Sequence, residues 1–206
     1  MNPPRIHPTA IIEPGVKIGP ETTVWDHVHI RGPSRIGSQC IIGEKTYIAY
    51  DVEIGDLVKI NAFVYVCTAV TIEHGVMISA GTTFTNDRFP RATTPDLRAL
   101  RDSGPDEQTL PTRVREGATI GASAVIGCDL EIGRFAMVGM GSVVPRSVPD
   151  FHLVVGNPAK AVGFVCRCGS PLLRFDPGTF PAREDPACSS CGRRFVARES
   201  TVTEAG

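Results

Sequence analysis

The 206-residue chain lacks the features that mark membrane, exported and nucleic-acid-binding proteins. No apolar run approaches the roughly 18 residues that a membrane-spanning helix needs, and residues 1–8 lack the charged-then-apolar layout of a signal peptide. The formal charge of -1 is spread evenly, so no basic surface attracts nucleic acid or a membrane. We therefore expect a cytoplasmic protein that binds neither.

Segments that favour helix are also scarce, whereas 21 glycines and 17 prolines punctuate the whole chain. This composition favours β-structure and turns. The length fits one substantial domain plus an appendage. Seven cysteines without an export signal indicate thiols or metal ligands in preference to disulfides, because the cytosol keeps thiols reduced.

A repeat of six residues runs through most of the chain. A bulky apolar residue occupies every sixth position from Ile6 to Phe84, and the same register resumes from Val114 to Val144. A small or β-branched residue lies two positions earlier, so strand alternation points both inward. Glycine often follows the bulky residue, where we expect it to supply the backbone conformation of a bend. The period predicts a triangular coil of three hexads per turn, with about seven turns.

This pattern, a bulky apolar residue followed by Gly and four variable residues, resembles that of the hexapeptide-repeat acyltransferases. The resemblance covers residues 6–163 and implies an all-β fold, a left-handed parallel β-helix over residues 1–163. It also implies a homotrimer whose active sites lie between neighbouring prisms, with acetyl-CoA as the acyl donor.

Residues eighteen apart stack in columns, so the outward positions can be sorted by face. One face is charged, with Lys17, Arg35 and Glu53, and is expected to be exposed to solvent. Another carries an aromatic, nearly uncharged column: Ile11, His29, Tyr47, Tyr65 and Thr83. We expect that column to be buried against a second subunit or to line a groove. Cross-strand stacking on an open surface is the alternative.

The repeat breaks over residues 85–113, which must leave the coil as a loop. Long loops of this kind are usually functional or disordered. The loop begins Phe84-Thr85-Asn86-Asp87 and continues Phe89-Pro90-Arg91, which resembles the loop of sugar-nucleotide N-acetyltransferases. Those enzymes include the one that acts on UDP-2-acetamido-3-amino-2,3-dideoxy-glucuronate. The resemblance implies that Asn86 orients the acceptor or the thioester and that Asp87 and Arg91 bind substrate. Alternatively, Asn86 and Asp87 only cap the turn.

The segment that ends Val155-Gly156-Asn157-Pro158-Ala159-Lys160 matches the same subgroup. In the family, this terminal segment runs near the CoA groove, and a basic residue at the Lys160 position can meet a CoA phosphate. The resemblance thus implies a donor site formed by Gly121, Ala122, Gly139, Asn157, Pro158 and Lys160. The alternative for Lys160 is an ordinary solvated lysine.

Acyl transfer needs a neutral nucleophile, a site for the developing oxyanion and a path for the proton of the nucleophile. His29 is the first candidate base, because it faces outward on the aromatic column and imidazole titrates near neutral pH. His27 is the second candidate, as a base or a substrate contact, and Tyr65 is a candidate acceptor contact. A polar interface histidine is the alternative for His29.

Two cysteine pairs, each ending in Gly, predict a zinc-ribbon segment over residues 164–198. Its predicted ligands are Cys166, Cys168, Cys188 and Cys191. Four thiolates leave no open coordination position, so the zinc would be structural. Free thiols or a disulfide are the alternative. Residues 199–206 are expected to be a frayed tail.

The sequence therefore predicts an acetyl-CoA-dependent N-acetyltransferase of a nucleotide-linked amino sugar, in the synthesis of surface polysaccharide precursors. An O-acetyltransferase of a small hydroxyl acceptor is the alternative enzyme. A non-catalytic trimeric scaffold is the alternative of another class. The γ-type carbonic anhydrases share the fold, but the five histidines here lack their metal-ligand spacing.

Overall fold

The computed structural model describes residues 2–102, 104–107 and 109–205. Within these residues the chain forms strands and turns, and it contains no helix that could cross a membrane.

The strands lie on three faces of a prism. The first face carries the parallel strands β1 (Arg5–Ile6), β4 (Thr23–Val24), β7 (Ile41–Ile42), β10 (Lys59–Ile60), β13 (Met77–Ile78), β16 (Thr119–Ile120), β19 (Met137–Val138) and β21 (His152–Gly156). The second carries β2 (Ile11–Ile12), β5 (His29–Ile30), β8 (Tyr47–Ile48), β11 (Tyr65–Val66), β14 (Thr83–Phe84), β17 (Val125–Ile126) and β20 (Val143–Val144). The third carries β3 (Val16–Ile18), β6 (Ser34–Ile36), β9 (Glu53–Ile54), β12 (Val70–Ile72), β15 (Thr112–Val114) and β18 (Leu130–Ile132).

The register follows the period of the sequence. Residues eighteen apart pair in parallel, as Arg5 does with Thr23, and across the loop the pairing resumes between Val70 and Thr112. The fold is the left-handed parallel β-helix that was expected, with about eight turns in place of about seven.

The core is a set of columns of bulky side chains inside the prism. Ile30, Ile48 and Ile78 are completely buried, whereas Ile6 is 40% exposed because no coil covers the first turn. Burying one such side chain contributes about 1.5–3 kcal/mol, so the stacked coils account for much of the stability.

The glycines that follow the bulky residues have a different role from the one expected. Gly19, Gly43 and Gly121 do not have positive φ angles. Instead, a Cβ at Gly43 would lie 2.6 Å from backbone atoms of the next coil, and one at Gly121 would lie 2.5 Å from the nitrogen of Met140. These glycines therefore allow neighbouring coils to approach at the corners. The positive φ angles occur two positions later, at residues such as His27 (φ 53°).

The loop leaves the coil after β14 and returns at β15, so it ends at residue 111, two residues earlier than expected. Inside it, Thr93 pairs with Leu100, and the amide of Arg101 donates to the carbonyl of Ala92. Residues 92–101 of the loop thus fold back as a hairpin.

The C-terminal part continues the first face. Strands β22 (Ala159–Val165) and β23 (Pro171–Arg174) add to β21 in antiparallel order, and β24 (Phe195–Arg198) pairs with β25 (Thr201–Glu204). The prediction of a frayed tail over residues 199–206 was wrong for β25, because its backbone completes this hairpin. The domain boundary between residues 163 and 164 stays a prediction, and β22 runs across it.

Candidate functional site

The predicted donor residues lie together at the C-terminal end of the prism. Gly121 and Gly139 occupy the same corner in successive coils, and the amide of Gly141 donates to the carbonyl of Ala122 at 2.8 Å. The β21–β22 hairpin closes on this corner, because a Cβ at Gly139 would lie only 2.7 Å from Cγ1 of Val155.

The turn of that hairpin carries the remaining predicted donor residues. The amide of Gly156 donates to Oγ of the buried Ser142 at 3.2 Å, which fixes the turn against the last coil. Asn157, Pro158 and Lys160 follow, and Lys160 is exposed and pairs with Val155 across the hairpin. The hairpin turn thus presents an exposed cation at the C-terminal end of the prism, which suits a ligand that carries phosphate.

His29 belongs to a cluster of hydrogen bonds at the opposite end of the prism. Its Nε2 lies 2.8 Å from Oε1 of Glu13, and Nε of Arg31 lies 3.4 Å from the same oxygen. The hydrogen bond with His29 is the main reason why the pKa of Glu13 is lowered. An ionised carboxylate only accepts hydrogen bonds, so Nε2 of His29 is the donor in this contact.

Glu13 was missed by the reasoning from sequence. Its position eighteen residues before Arg31 places the two on one corner in adjacent coils, so the column rule could have found the pair. The same guanidinium hydrogen-bonds the Tyr47 hydroxyl, which raises the pKa of Arg31, and it lies 5.0 Å from the ring of Tyr50.

The aromatic column forms as expected. The rings of His29 and Tyr47 meet edge to face at 5.4 Å, and those of Tyr47 and Tyr65 stack in parallel at 5.2 Å. Tyr65 is 45% exposed and Ile11 is 58% exposed in the single chain. The burial of this column by a second subunit stays a prediction.

His27, the second candidate base, occupies a turn with positive φ. Its side chain is 61% exposed and lies 4.0 Å from Asp26. Its backbone amide donates to Thr9 in the coil above, so the residue also has a structural role in the turn.

The loop gathers the predicted acceptor residues around a polar cavity of about 140 Å³. Its lining includes Asn86, Asp87 and Arg91, together with Arg101 and Asp102, which were not predicted. The carbonyl of Asn86 accepts from the amide of Leu110, and Oδ1 of Asp87 accepts from the amide of Phe89. Asp87 thus caps the turn with its side chain, and Asn86 takes part through its backbone; their roles towards substrate stay predictions.

Within one chain, the structure does not bring His29 and Asn86 together. His29 precedes Thr83, at the base of the loop, by three coils on the same face. At about 4.8 Å per coil, the separation is about 14 Å along the axis. Their joint catalytic assignment stays a prediction that requires a bridging acceptor or a second chain.

The four ribbon cysteines converge as predicted, and their sulfur atoms all lie within 4.8 Å of one another. Sγ of Cys166 is 3.4 Å from that of Cys191, and Sγ of Cys168 is 3.6 Å from that of Cys188. These distances are far beyond the ~2.05 Å of a disulfide. They are close to the ~3.8 Å edge of a tetrahedron with Zn–S bonds of ~2.3 Å.

The chemistry of the donor set also fits a metal. Hydrogen bonds with Ser170 lower the pKa of the Cys168 thiol to about 6, which favours its thiolate, whereas burial raises the pKa of Cys166 to about 12 in the absence of a cation. Two knuckle turns present the sulfurs, with the amide of Gly169 donating to the carbonyl of Cys166 and that of Gly192 to the carbonyl of Cys188. The arrangement suits a closed structural site.

The charged face contains a groove of about 630 Å³ beside Lys17, Arg35 and Glu53. The groove is also lined by the corner glycines Gly19, Gly37 and Gly55. Arg35 and Glu53 pair across it at 3.6 Å, and none of the predicted catalytic or binding residues lines it.

Comparison with known proteins agrees with this geometry. A family model described as "Bacterial transferase hexapeptide (six repeats)" matches residues 15–50. This stretch of the chain is therefore similar to the hexapeptide-repeat transferases.

Two curated relatives show which chemistries accompany the repeat. The chain is 42% identical over 93 residues to the dTDP-3-amino-3,6-dideoxy-alpha-D-galactopyranose 3-N-acetyltransferase of Aneurinibacillus thermoaerophilus, over 45% of this chain and 44% of that protein. It is 34% identical over 96 residues to serine acetyltransferase 4 of Arabidopsis thaliana, over 47% of this chain and 21% of that protein. The chain thus spans less than half the length of these relatives.

Among solved structures, the chain resembles LpxA of Bacteroides fragilis, described as a UDP-N-acetylglucosamine acyltransferase. The TM-score is 0.63 at 16% identity, over 79% of this chain and 62% of that chain. This similarity concerns the fold.

Proposed function

We propose that the chain is an acetyl-CoA-dependent N-acetyltransferase of an amino sugar carried on a nucleotide, active as a homotrimer. The observation that carries the proposal is the 42% identity to a dTDP-amino-sugar N-acetyltransferase. A role in making surface polysaccharide precursors is consistent with such a product.

The donor would bind along the glycine corner at the C-terminal end. Lys160 would supply a cation for a CoA phosphate, and Gly121 and Gly139 let the last coils and the hairpin pack closely where the pantetheine arm would lie. The thioester would then point towards the loop, which emerges earlier on the same prism.

The acceptor would bind at the loop. Arg91 and Arg101 provide guanidinium groups for a phosphate or carboxylate, and Asp87 and Asp102 can accept hydrogen bonds from an amine. The exposed aromatic column would lie between subunits, because a stacked Tyr pair on open surface favours burial against a partner.

In the transfer step, the neutral amine attacks the thioester carbonyl and forms a tetrahedral oxyanion. Collapse of this intermediate breaks the C–S bond, expels the CoA thiolate and leaves an amide, while the nitrogen loses its proton. Asn86 would orient one of the two carbonyl partners. His29, held by Glu13, is the candidate acceptor for the proton, either when the acceptor spans the coils or when a second chain completes the site.

The four cysteines would hold a structural zinc ion. Closed tetrahedral coordination leaves no position for substrate, so the transfer step would not involve the metal.

The test measures free thiol released from acetyl-CoA with dTDP- and UDP-linked 3-amino and 4-amino sugars. Turnover on one of these acceptors is expected, and Asn86→Ala should lower kcat. His29→Ala and Glu13→Gln should both lower kcat/KM if His29 is the base, with His7→Ala as the matched control. Absence of turnover while acetyl-CoA still binds would overturn the amino-sugar assignment, and absence of binding would overturn the enzyme assignment.

A hydroxyl acceptor is the second candidate, because the chain also matches a serine acetyltransferase at 34% identity. The same assay with L-serine and with unmodified nucleotide sugars distinguishes the two. Thiol release with a hydroxyl acceptor alone would select this candidate.

A further inference from the structure

The four-cysteine cluster and the predicted donor hairpin lie at the two ends of one strand. Strand β22 begins at Ala159, within the turn that carries Lys160, and ends at Val165, next to the ligand Cys166. Its start pairs with Gly156 and its end pairs with His152, both in β21. Ordering of the backbone next to Cys166 therefore affects the same strand that positions Lys160.

The ribbon covers the end of the prism through aromatic contacts. Phe151, just before β21, stacks on Phe135 of the last coils at 5.5 Å and meets Phe195 of the ribbon at 5.5 Å. The guanidinium of Arg167, between two ligand cysteines, lies 4.5 Å from the ring of Phe135. The centre is thus held directly against the prism.

Besides the cysteines, the ribbon is held by one small aromatic cluster, in which Phe164 contacts Phe175 and Phe180. Its buried cluster contains few residues, among them Phe164, Phe195 and the ligands Cys166 and Cys188. A segment of this size rarely folds on its own core, and bound metal then supplies the folding free energy. Without metal, β23 and the β24–β25 hairpin would lose their anchor.

Loss of the ribbon would leave β22 with one partner strand. Strand β21 would keep its parallel pairing to β19, with Met137 opposite Leu153, because the prism supports it. Strand β22 would keep only β21, and its partners in β23, such as Leu173 opposite Phe164, would be gone. Ala159 and Ala161 would still pack against the prism, so the loss of support would be greatest at the cysteine end of β22.

We infer that metal binding by the four cysteines fixes strand β22 and thereby couples metal occupancy to acyl-CoA binding at the hairpin turn. The metal centre acts as a clamp: it holds the backbone of the donor site in place, at some distance from the reacting atoms. The first half of this inference concerns the chain alone, and the second half rests on the proposed function.

The experiment follows backbone hydrogen exchange in the full-length protein, loaded with zinc or stripped with a chelator. Residues 160–165 should lose protection at least about tenfold on stripping, whereas Leu153, Val154 and the strands of the earlier coils should not. Added zinc should restore it. Cys191→Ser should reproduce the stripped state, and Cys128→Ser, which changes a free cysteine outside the cluster, should not.

Acetyl-CoA affinity is measured on the same samples, and the dissociation constant should rise about tenfold on stripping. Unchanged exchange in residues 160–165 after metal loss would overturn the clamp, as would failure to bind about one zinc ion per chain. Equal loss of protection throughout the prism would overturn it too, because the metal would then support the whole fold. If zinc protects β22 but acetyl-CoA binds in neither state, the clamp on the strand stands and the proposed function fails.

Discussion

The corner glycines provide a direct test of how closely the coils pack. A Cβ at Gly43 would lie 2.6 Å from the amide nitrogen of Ala62 and from the carbonyl carbon of Asn61. Both are backbone atoms of the next coil, so no side-chain rotation can relieve the clash. Gly43→Ala must therefore separate two coils or bend one of them.

The expected cost follows from the nature of the clash. Overpacking of a well-packed interior costs about 1–3 kcal/mol, and a backbone obstacle places Gly43→Ala at the upper end. Gly75 provides the matched control, because its φ is +69° and a Cβ there would meet nothing within 4 Å. Gly75→Ala should cost only the roughly 1 kcal/mol of placing alanine in the left-handed region.

Thermal unfolding of both variants measures the difference. For a chain of this length, 1 kcal/mol shifts Tm by about 2–4 °C, so Gly43→Ala should melt about 2–8 °C below Gly75→Ala. Both sites are far from the predicted donor corner, so acetyl-CoA affinity serves as a check that the fold is intact. Equal melting temperatures would refute the steric clash between coils. They would indicate that these glycines serve the bend conformation instead.

Three further predictions concern the site and the ribbon. Lys160→Ala should weaken acetyl-CoA binding about fivefold by calorimetry, as loss of one exposed phosphate contact would, whereas Lys59→Ala should not. Arg91→Ala should raise the acceptor KM about tenfold with little change in kcat, and the loop control Arg98→Ala should leave both unchanged. Burial lowers the pKa of His152, so the folded state disfavours its charged form. The contribution of His152 to stability should therefore be complete above about pH 6.5 and fall as the pH drops below it. In His152→Gln, Tm should depend less on pH in this range. An unchanged dependence of Tm on pH would contradict this account.

The sequence was sufficient to predict the prism, because each coil must stack on the next in one register. The spacing of eighteen predicts the column from His29 through Tyr47 to Tyr65, and the three rings are in contact. The convergence of the four cysteines could also be predicted from the sequence, because two closely spaced Cys pairs are typical of one four-cysteine metal site.

Contacts that are not periodic could not be predicted in the same way. The pairing of Glu13 with His29 depends on side-chain conformations at a corner, which the hexad pattern does not constrain. Arg101 reaches the loop cavity only because residues 92–101 fold back as a hairpin, and no period marks that turn. The role of the corner glycines was misjudged because composition alone cannot separate a positive φ from a close approach.

The positions of the candidate residues along the prism constrain the chemistry more than their identities do. His29 lies near the first coils, Asn86 three coils later, and Lys160 at the last coil. Small substrates cannot touch all three, whereas two elongated substrates that meet at the loop can, one from each end. A nucleotide-linked sugar and an acyl-CoA are both elongated and end in their reacting groups. Under the proposed function, this linear layout of the candidate residues suits a transfer between two such molecules better than a reaction of one compact substrate.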